Sequence, residues 1–155
     1  MSTQPTLKSW SIIIPAAKRF VVLADFNNEA VLDRETGLVW EKTPDTIPPK
    51  YTAEGARFFC RNKTVGGRKG WRLPTAVELS SLVDPSVAVW PTLPIGHPFV
   101  LVKPTLFWSA TVSDSDIAMS NGLIMNFSDG TLYANLISNG YGAWCVRGGM
   151  NADQY

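Results

Sequence analysis

The side chains that most often perform catalysis are scarce in this chain, which has two cysteines and one histidine among its 155 residues. The histidine, His97, lies between Gly96 and Pro98 and is interpreted as a loop residue rather than a general base or a metal ligand. Two cysteines and one histidine cannot build a structural zinc site of the usual kind. Gly-x-Ser-x-Gly, His-Glu-x-x-His and phosphate-binding glycine motifs do not occur in the sequence. We therefore predict a protein without catalytic activity, cofactor or resident metal.

The two cysteines can instead form a cross-link. Cys60 falls on the apolar face of a predicted helix, and Cys145 falls in the predicted last strand. A disulfide between positions so far apart stabilises by about 4 kcal/mol in the chain-entropy description, if it forms without strain. We favour this disulfide over the alternative of two buried thiols, and a disulfide indicates an oxidising compartment.

Basic residues are concentrated in the first half of the chain. The net charge is only +1, which argues against nucleic-acid binding, but residues 1–72 hold all but two of the 14 Lys and Arg residues. The basic residues between Ala56 and Trp71 are either a solvated helix end and loop or a site for an acidic polysaccharide or another polyanion. The candidate polyanion-binding residues are Arg57, Arg61, Lys63, Arg68 and Lys69.

Two segments near the end of the chain have the composition of a recognition surface. Residues 112–121 and 138–144 are rich in Ser, Asn, Gly and Tyr, which combine adaptable hydrogen bonding with rigid aromatic contacts. For Trp144 the alternative is core packing beside Cys145. Oxygen-bearing residues here do not follow the spacing of an EF-hand loop, so we interpret them as turn and surface residues rather than calcium ligands. The candidate ligand-binding residues are Asp114, Asp116, Met119, Asn121, Tyr133, Asn139, Tyr141 and Trp144.

Antiparallel strands are predicted to position these residues. Leu123–Phe127 and Leu132–Leu136 alternate with a period of two around the turn Ser128–Gly130, which indicates a hairpin. A final strand, Ala143–Arg147, is predicted to complete a small C-terminal sheet. Earlier in the chain, Arg19–Leu23 is predicted as a strand and Ala30–Lys42 as a second hairpin with Gly37 in its turn.

Two helices are predicted between the hairpins. Thr52 can cap a helix that runs to about Asn62 and directs Cys60 into the core. Thr75 and Glu78 form a capping box for a second helix, whose apolar face comprises Val77, Leu79, Leu82 and Val83.

The remaining apolar segments must pack either on the domain itself or on a neighbouring copy of the chain. Residues 85–105 are Pro-rich and irregular, and we expect Val89, Trp90, Leu93 and Phe99 to fix them to the domain. The N-terminal arm, residues 1–18, carries Trp10, Ile12, Ile13 and Ile14, a run too short to span a membrane. Self-association through this arm and the 85–105 loop is therefore one alternative function. The start of the chain lacks the charged and apolar regions of a signal peptide, so any export leader would lie outside this sequence.

Five motifs together resemble the Lcl C-terminal domain family, which is named for a bacterial collagen-like adhesin. They are DRETGLVW (33–40), GWRLPTAVELSSL (70–82), FWSAT (107–111), NFSDG (126–130) and CVRGG (145–149). The resemblance covers about residues 19–149, which leaves residues 150–155 as a C-terminal tail.

The resemblance implies an α+β, C-type-lectin-like fold, with two helices packed on small antiparallel β-sheets and long loops. It also implies an exported bacterial protein, secreted, on the cell surface or periplasmic, with a rigid scaffold and tolerant surface loops, and it implies no particular ligand. Our first hypothesis is a non-catalytic binding or adhesion module that recognises a glycan, including sulfated polysaccharide, or a protein through its C-terminal strands and loops. Alternatives are a structural subunit of a surface assembly and a variable ligand-binding protein of a diversity-generating retroelement. The chain has no Glu-Pro-Asn, Gln-Pro-Asp or Trp-Asn-Asp triplet, so calcium-dependent sugar binding is not implied.

Overall fold

A computed structural model describes residues 14–44, 50–101, 104–113 and 120–150. In these parts of the chain the fold is α+β, with short helices and two antiparallel sheets. In chain order the elements are α1 (Ala16–Arg19), β1 (Phe20–Val22), β2 (Ala30–Asp33), β3 (Val39–Glu41), α2 (Ala53–Arg61), β4 (Trp71–Arg72), α3 (Ala76–Ser80), β5 (Leu106–Val112), β6 (Asn121–Asn126), β7 (Thr131–Leu136) and β8 (Val146–Arg147).

The hairpin predicted over residues 30–42 is confirmed. Strands β2 and β3 pair antiparallel, and Gly37 takes the positive φ, 80°, that the turn needs. Strand β1 pairs with β2, but it is shorter than predicted because Arg19 ends α1 instead of beginning the strand.

Both predicted helices are confirmed, together with the residues that begin them. The Thr52 hydroxyl accepts a hydrogen bond from the Gly55 N–H, and Thr75 with Glu78 forms the expected capping box. The predicted apolar face of α3 is wrong at Val77, whose side chain is 68% exposed, and the helix ends at Ser80, before Leu82 and Val83. In this short helix the buried side comprises Ala76 and Leu79, three residues apart, and Val77 points away from them.

Strands β5, β6 and β7 form a three-stranded sheet with β6 in the centre. The predicted β6–β7 hairpin is confirmed, and Gly130 has a φ of 72° in its turn. Adjacent residues Ile124 and Met125 are both buried, because opposite faces of β6 pack on two different core clusters. Among the described strands, β7 pairs only with β6, and it is mostly exposed.

The last strand does not join the C-terminal sheet, contrary to the prediction. Strand β8 is only two residues long and lies between β3 and β4 in a five-stranded sheet of order β1-β2-β3-β8-β4. The pairing of Trp40 with Val146 joins residues far apart in the sequence, and local residue patterns cannot specify such a partner.

The core has an aromatic cluster and a second cluster that contains the disulfide. Trp144 packs against the rings of Trp40, Phe99, Phe107 and Phe127, with ring centroids 5.0–5.6 Å apart. The predicted disulfide Cys60–Cys145 is confirmed, with a Cα–Cα distance of 5.4 Å, and it ties α2 to the segment before β8.

The segment from 85 to 101 has no helix or strand and is fixed at Thr92. The Thr92 backbone N–H and hydroxyl both donate to the Phe127 carbonyl, at 2.9 and 3.0 Å. Leu93 and Phe99 are buried as predicted, but Val89 is exposed and does not fix the segment to the core. None of the helices in the described ranges has the length and apolar character needed to cross a bilayer.

Candidate functional site

A groove between α2 and β5 brings together two of the predicted polyanion-binding residues. Helix α2 places Glu54, Arg57 and Arg61 on one side, because three- and four-residue steps return to the same helix face. These side chains face β5 across a cavity of about 340 Å³. The other residues that line it are Ala53, Ser109, Thr111, Val112, Gly122 and Ile137. We call this cavity the α2–β5 groove.

A smaller depression extends the groove toward β4. It has a volume of about 220 Å³ and shares Arg57 and Arg61 with the first cavity, while Arg72, Leu73 and Ala110 line the rest. One Arg57 Nη donates to the Ala110 carbonyl at 2.7 Å, which holds this guanidinium against β5. Three arginine side chains therefore line one continuous surface.

The three arginines differ in how far their charge is already compensated. Arg72 makes a two-pronged ion pair with Glu78, with both N–O distances 2.7 Å, and this hydrogen bonding raises the pKa of Arg72 despite its burial. Within the described part of the chain, Arg57 and Arg61 have no carboxylate within ion-pair distance. Among the described residues, Arg57 and Arg61 are thus the groove cations that have no carboxylate partner.

The polar groups on the β5 side of the groove already have partners in the protein. The Ser109 hydroxyl donates to the Leu123 carbonyl at 2.7 Å, and the Thr111 hydroxyl accepts from the Ala76 N–H at 2.9 Å. The charged hydrogen-bond donors for a ligand come from Arg57 and Arg61 of α2. Glu54 is the one acidic side chain among the residues that line the two cavities in the described structure.

The other predicted polyanion-binding residues lie on different surfaces. Lys63 pairs with the buried Glu41 carboxylate at 3.0 Å, so its charge is already compensated. Arg68 stacks on the Phe26 ring, 4.5 Å from its centroid, and Lys69 is exposed beside it in sequence. The structure brings together Arg57 and Arg61 and does not join the five residues into one patch.

Those predicted ligand-binding residues that the structure describes do not form one face either. Tyr133 is 44% exposed on the edge strand β7, and its hydroxyl donates to Asp129. The Asn139 side chain donates to Asn135, whereas the half-buried Tyr141 packs its ring on Trp108. Asn121 begins β6 next to Gly122 of the groove.

Trp144 is wrong as a ligand-binding residue. Its ring is fully buried in the aromatic core, and its indole N–H donates to the Glu41 carbonyl at 2.9 Å. Core packing, the alternative weighed for this residue, is what the structure has. Asp114, Asp116 and Met119 lie outside the described residues, as do Trp10, Ile12 and Ile13 of the arm.

Sequence reasoning missed several residues that line the groove. The spacing of Glu54, Arg57 and Arg61 was a usable signal, because it places all three on one side of a helix whose limits were predicted correctly. No local signal pointed to Thr111 or Ile137. They reach the groove only through the pairing of β5, β6 and β7.

The comparison with protein families identifies the chain. The model of the Lcl C-terminal domain matches residues 29–147, so the chain belongs to this family and the resemblance found in the sequence is confirmed. A search of the curated proteins found no match. The family suggests an extracellular, adhesin-like module, and the disulfide fits the same setting.

Proposed function

We propose that this chain is an exported, non-catalytic binding module that holds a sulfated or otherwise acidic glycan in the α2–β5 groove. The observation that carries the proposal is the pair Arg57 and Arg61, which line one groove with no carboxylate partner in the described structure. The two longer helices packed beside small antiparallel sheets favour a C-type-lectin-like scaffold.

Arginine suits this ligand class. A guanidinium offers several N–H donors in a plane, and this geometry matches the oxygens of a sulfate or carboxylate group. Positions 57 and 61 are one helical turn apart, so their side chains can contact successive acidic groups on a chain-like ligand. A long groove with charged donors fits a polysaccharide better than a flat apolar surface would.

The side chains of the groove do not favour glycoside hydrolysis. That reaction generally uses two carboxyl groups on opposite sides of the scissile bond, whereas Glu54 is the one carboxylate lining the described groove. Glu78 is bound to Arg72 and to the Thr75 N–H. These features support binding without turnover.

The test measures the affinity of dextran sulfate for the double variant Arg57→Gln/Arg61→Gln. We expect binding in low salt to weaken at least tenfold and to depend less steeply on ionic strength, because two cationic contacts are lost. The matched control is Lys18→Gln/Arg34→Gln, which removes the same charge at two exposed positions outside the groove. Equal losses in both double variants would overturn the proposal, and so would equal binding of uncharged dextran.

The alternative binding function is recognition of a protein ligand. The dextran sulfate measurements on the groove variants separate a glycan ligand from a protein ligand. If dextran sulfate does not bind, the groove is not a site for sulfated glycans and a protein ligand becomes the better interpretation.

A further inference from the structure

The α2–β5 groove carries unlike charges at its two ends. Glu54 and Ile137 line the larger cavity but not the smaller depression, whereas Arg72 lines the depression and not the larger cavity. Arg57 and Arg61 line both. The groove therefore runs from one carboxylate, past two guanidinium groups, to a third guanidinium group.

Glu54 presents its carboxylate to the groove without a cationic partner in the described structure. The residue is exposed, and no Lys or Arg nitrogen of the described residues lies within ion-pair distance of it. Arg57 is one helical turn away, but its guanidinium is held against β5 by the Ala110 carbonyl. An acidic ligand group bound at Arg57 therefore has a negative charge on one side of it.

The surface next to Glu54 is apolar and fixed by the backbone. The Ala53 N–H donates to the Ile137 carbonyl at 3.0 Å, which holds the start of α2 against the residue that follows β7. Ile137 is 39% exposed. A Cβ at Gly122 would lie 3.6 Å from the Ile137 side chain and 3.0 Å from the Trp108 ring. Glycine at position 122 therefore leaves the space beside Ile137 unfilled.

This end of the groove suits a neutral sugar. An ionised carboxylate accepts hydrogen bonds and donates none, so Glu54 can accept from the hydroxyl groups of a sugar ring. The C–H groups of the same ring can pack on Ile137, which removes apolar area from water. A sulfate or carboxylate group at this position would instead meet a like charge at a distance too short for salt to screen fully.

We propose that the α2–β5 groove selects acidic glycans in which a neutral sugar lies next to the acidic unit. Arg57 and Arg61 hold the acidic unit, and Glu54 is the residue that disfavours a second acidic group on the neighbouring sugar. This selectivity rests on the proposed function, because it requires that the groove binds acidic glycans.

Glu54 also contributes to α2 itself. It lies in the first turn of the helix, where a carboxylate interacts favourably with the helix dipole. That contribution changes the stability of the folded chain, and it is the same whichever ligand is present. A ratio of affinities for two ligands therefore reports the selectivity and not the helix.

The test compares two polymers with the same sugar backbone. Unsulfated chondroitin has an acidic group on every second sugar, and chondroitin sulfate has one on nearly every sugar. The quantity measured is the affinity for chondroitin sulfate divided by the affinity for chondroitin, in low salt. Glu54→Gln should raise this ratio about threefold, and Glu54→Lys should raise it further, because the opposing charge is first removed and then reversed.

The matched controls are Asp25→Asn and Asp25→Lys. They make the same changes of charge at an exposed position outside the groove and should leave the ratio unchanged. Equal ratios in the Glu54 and Asp25 variants would overturn the selectivity.

The double variant Arg57→Gln/Arg61→Gln separates a failure of the selectivity from a failure of the proposed function. If it binds both polymers more weakly while Glu54→Gln leaves the ratio unchanged, the selectivity alone is wrong. If it binds both polymers as strongly as the unaltered chain, or if the unaltered chain binds neither, the groove is not the glycan site and both proposals are wrong.

Discussion

Asp33 organises the turn that joins β2 to β3. Its carboxylate is fully buried and receives two hydrogen bonds from Arg19, at 2.8 and 2.9 Å, and others from the Thr36 hydroxyl and the Glu35 N–H. Arg19 in turn donates to the Ser81 carbonyl at 2.8 Å. A single ion pair therefore joins the first hairpin to α1 and to the end of α3.

Removing the Asp33 charge should be severely destabilising. Asp33→Asn leaves Arg19 buried without its main carboxylate, and breaking such a pair costs about 3–5 kcal/mol. The matched control is Glu35→Gln, which removes a half-exposed partner of the same arginine and should cost about 1 kcal/mol or less. Urea unfolding of both variants measures the two costs, and similar losses would contradict the importance given to Asp33.

At the scale of elements, Glu78 joins α3 to β4. Its carboxylate accepts from the Thr75 N–H within the capping box and from both prongs of Arg72, which also donates to the Gly148 carbonyl. Burial pushes the pKa of Glu78 up, but the hydrogen bonds from Arg72 and Thr75 outweigh it, so the pKa lies below the usual value for a glutamate.

This shift makes the contribution of Glu78 depend on pH. Because the pKa of Glu78 is lower in the folded than in the unfolded chain, its stabilisation is complete above the unfolded pKa of about 4.3 and is lost as the pH falls through the folded value. Glu78→Gln should cost about 1–3 kcal/mol at pH 7, and the cost should shrink between pH 5 and pH 3. Urea unfolding across this range measures it, with the exposed Glu54→Gln as control. If the cost of Glu78→Gln stays constant with pH, the lowered pKa of Glu78 is refuted.

The elements also show which parts of the structure can be predicted from the sequence. Thr52, Thr75 and Glu78 act on backbone groups within three residues, so their pattern was sufficient to locate both helices. The position of β8 depends on pairing Val146 with Trp40 and Arg72, and no local pattern contains that information. The same limit explains the groove: the α2 side was accessible to sequence reasoning, and the β5 side was not.

At the scale of the whole molecule, the disulfide joins Cys60 to Cys145. The two cysteines are 85 positions apart in the sequence, and both are fully buried. For a loop of that length the chain-entropy description gives about 4.5 kcal/mol of stabilisation. We expect Cys60→Ala/Cys145→Ala to lose about that amount in urea unfolding. A loss below about 1 kcal/mol would contradict a stabilising role, since it is smaller than chain entropy requires.

The place of β8 has a consequence for how the protein is made. Among the described strands, β4 joins β3 in the five-stranded sheet through β8, the last strand in chain order. During synthesis β3 can pair with β2, but β4 has no place in this sheet until Val146 and Arg147 have emerged, by which time nearly all of the described domain is outside the ribosome. The five-stranded sheet is therefore completed only near the end of synthesis, which is compatible with the export proposed above.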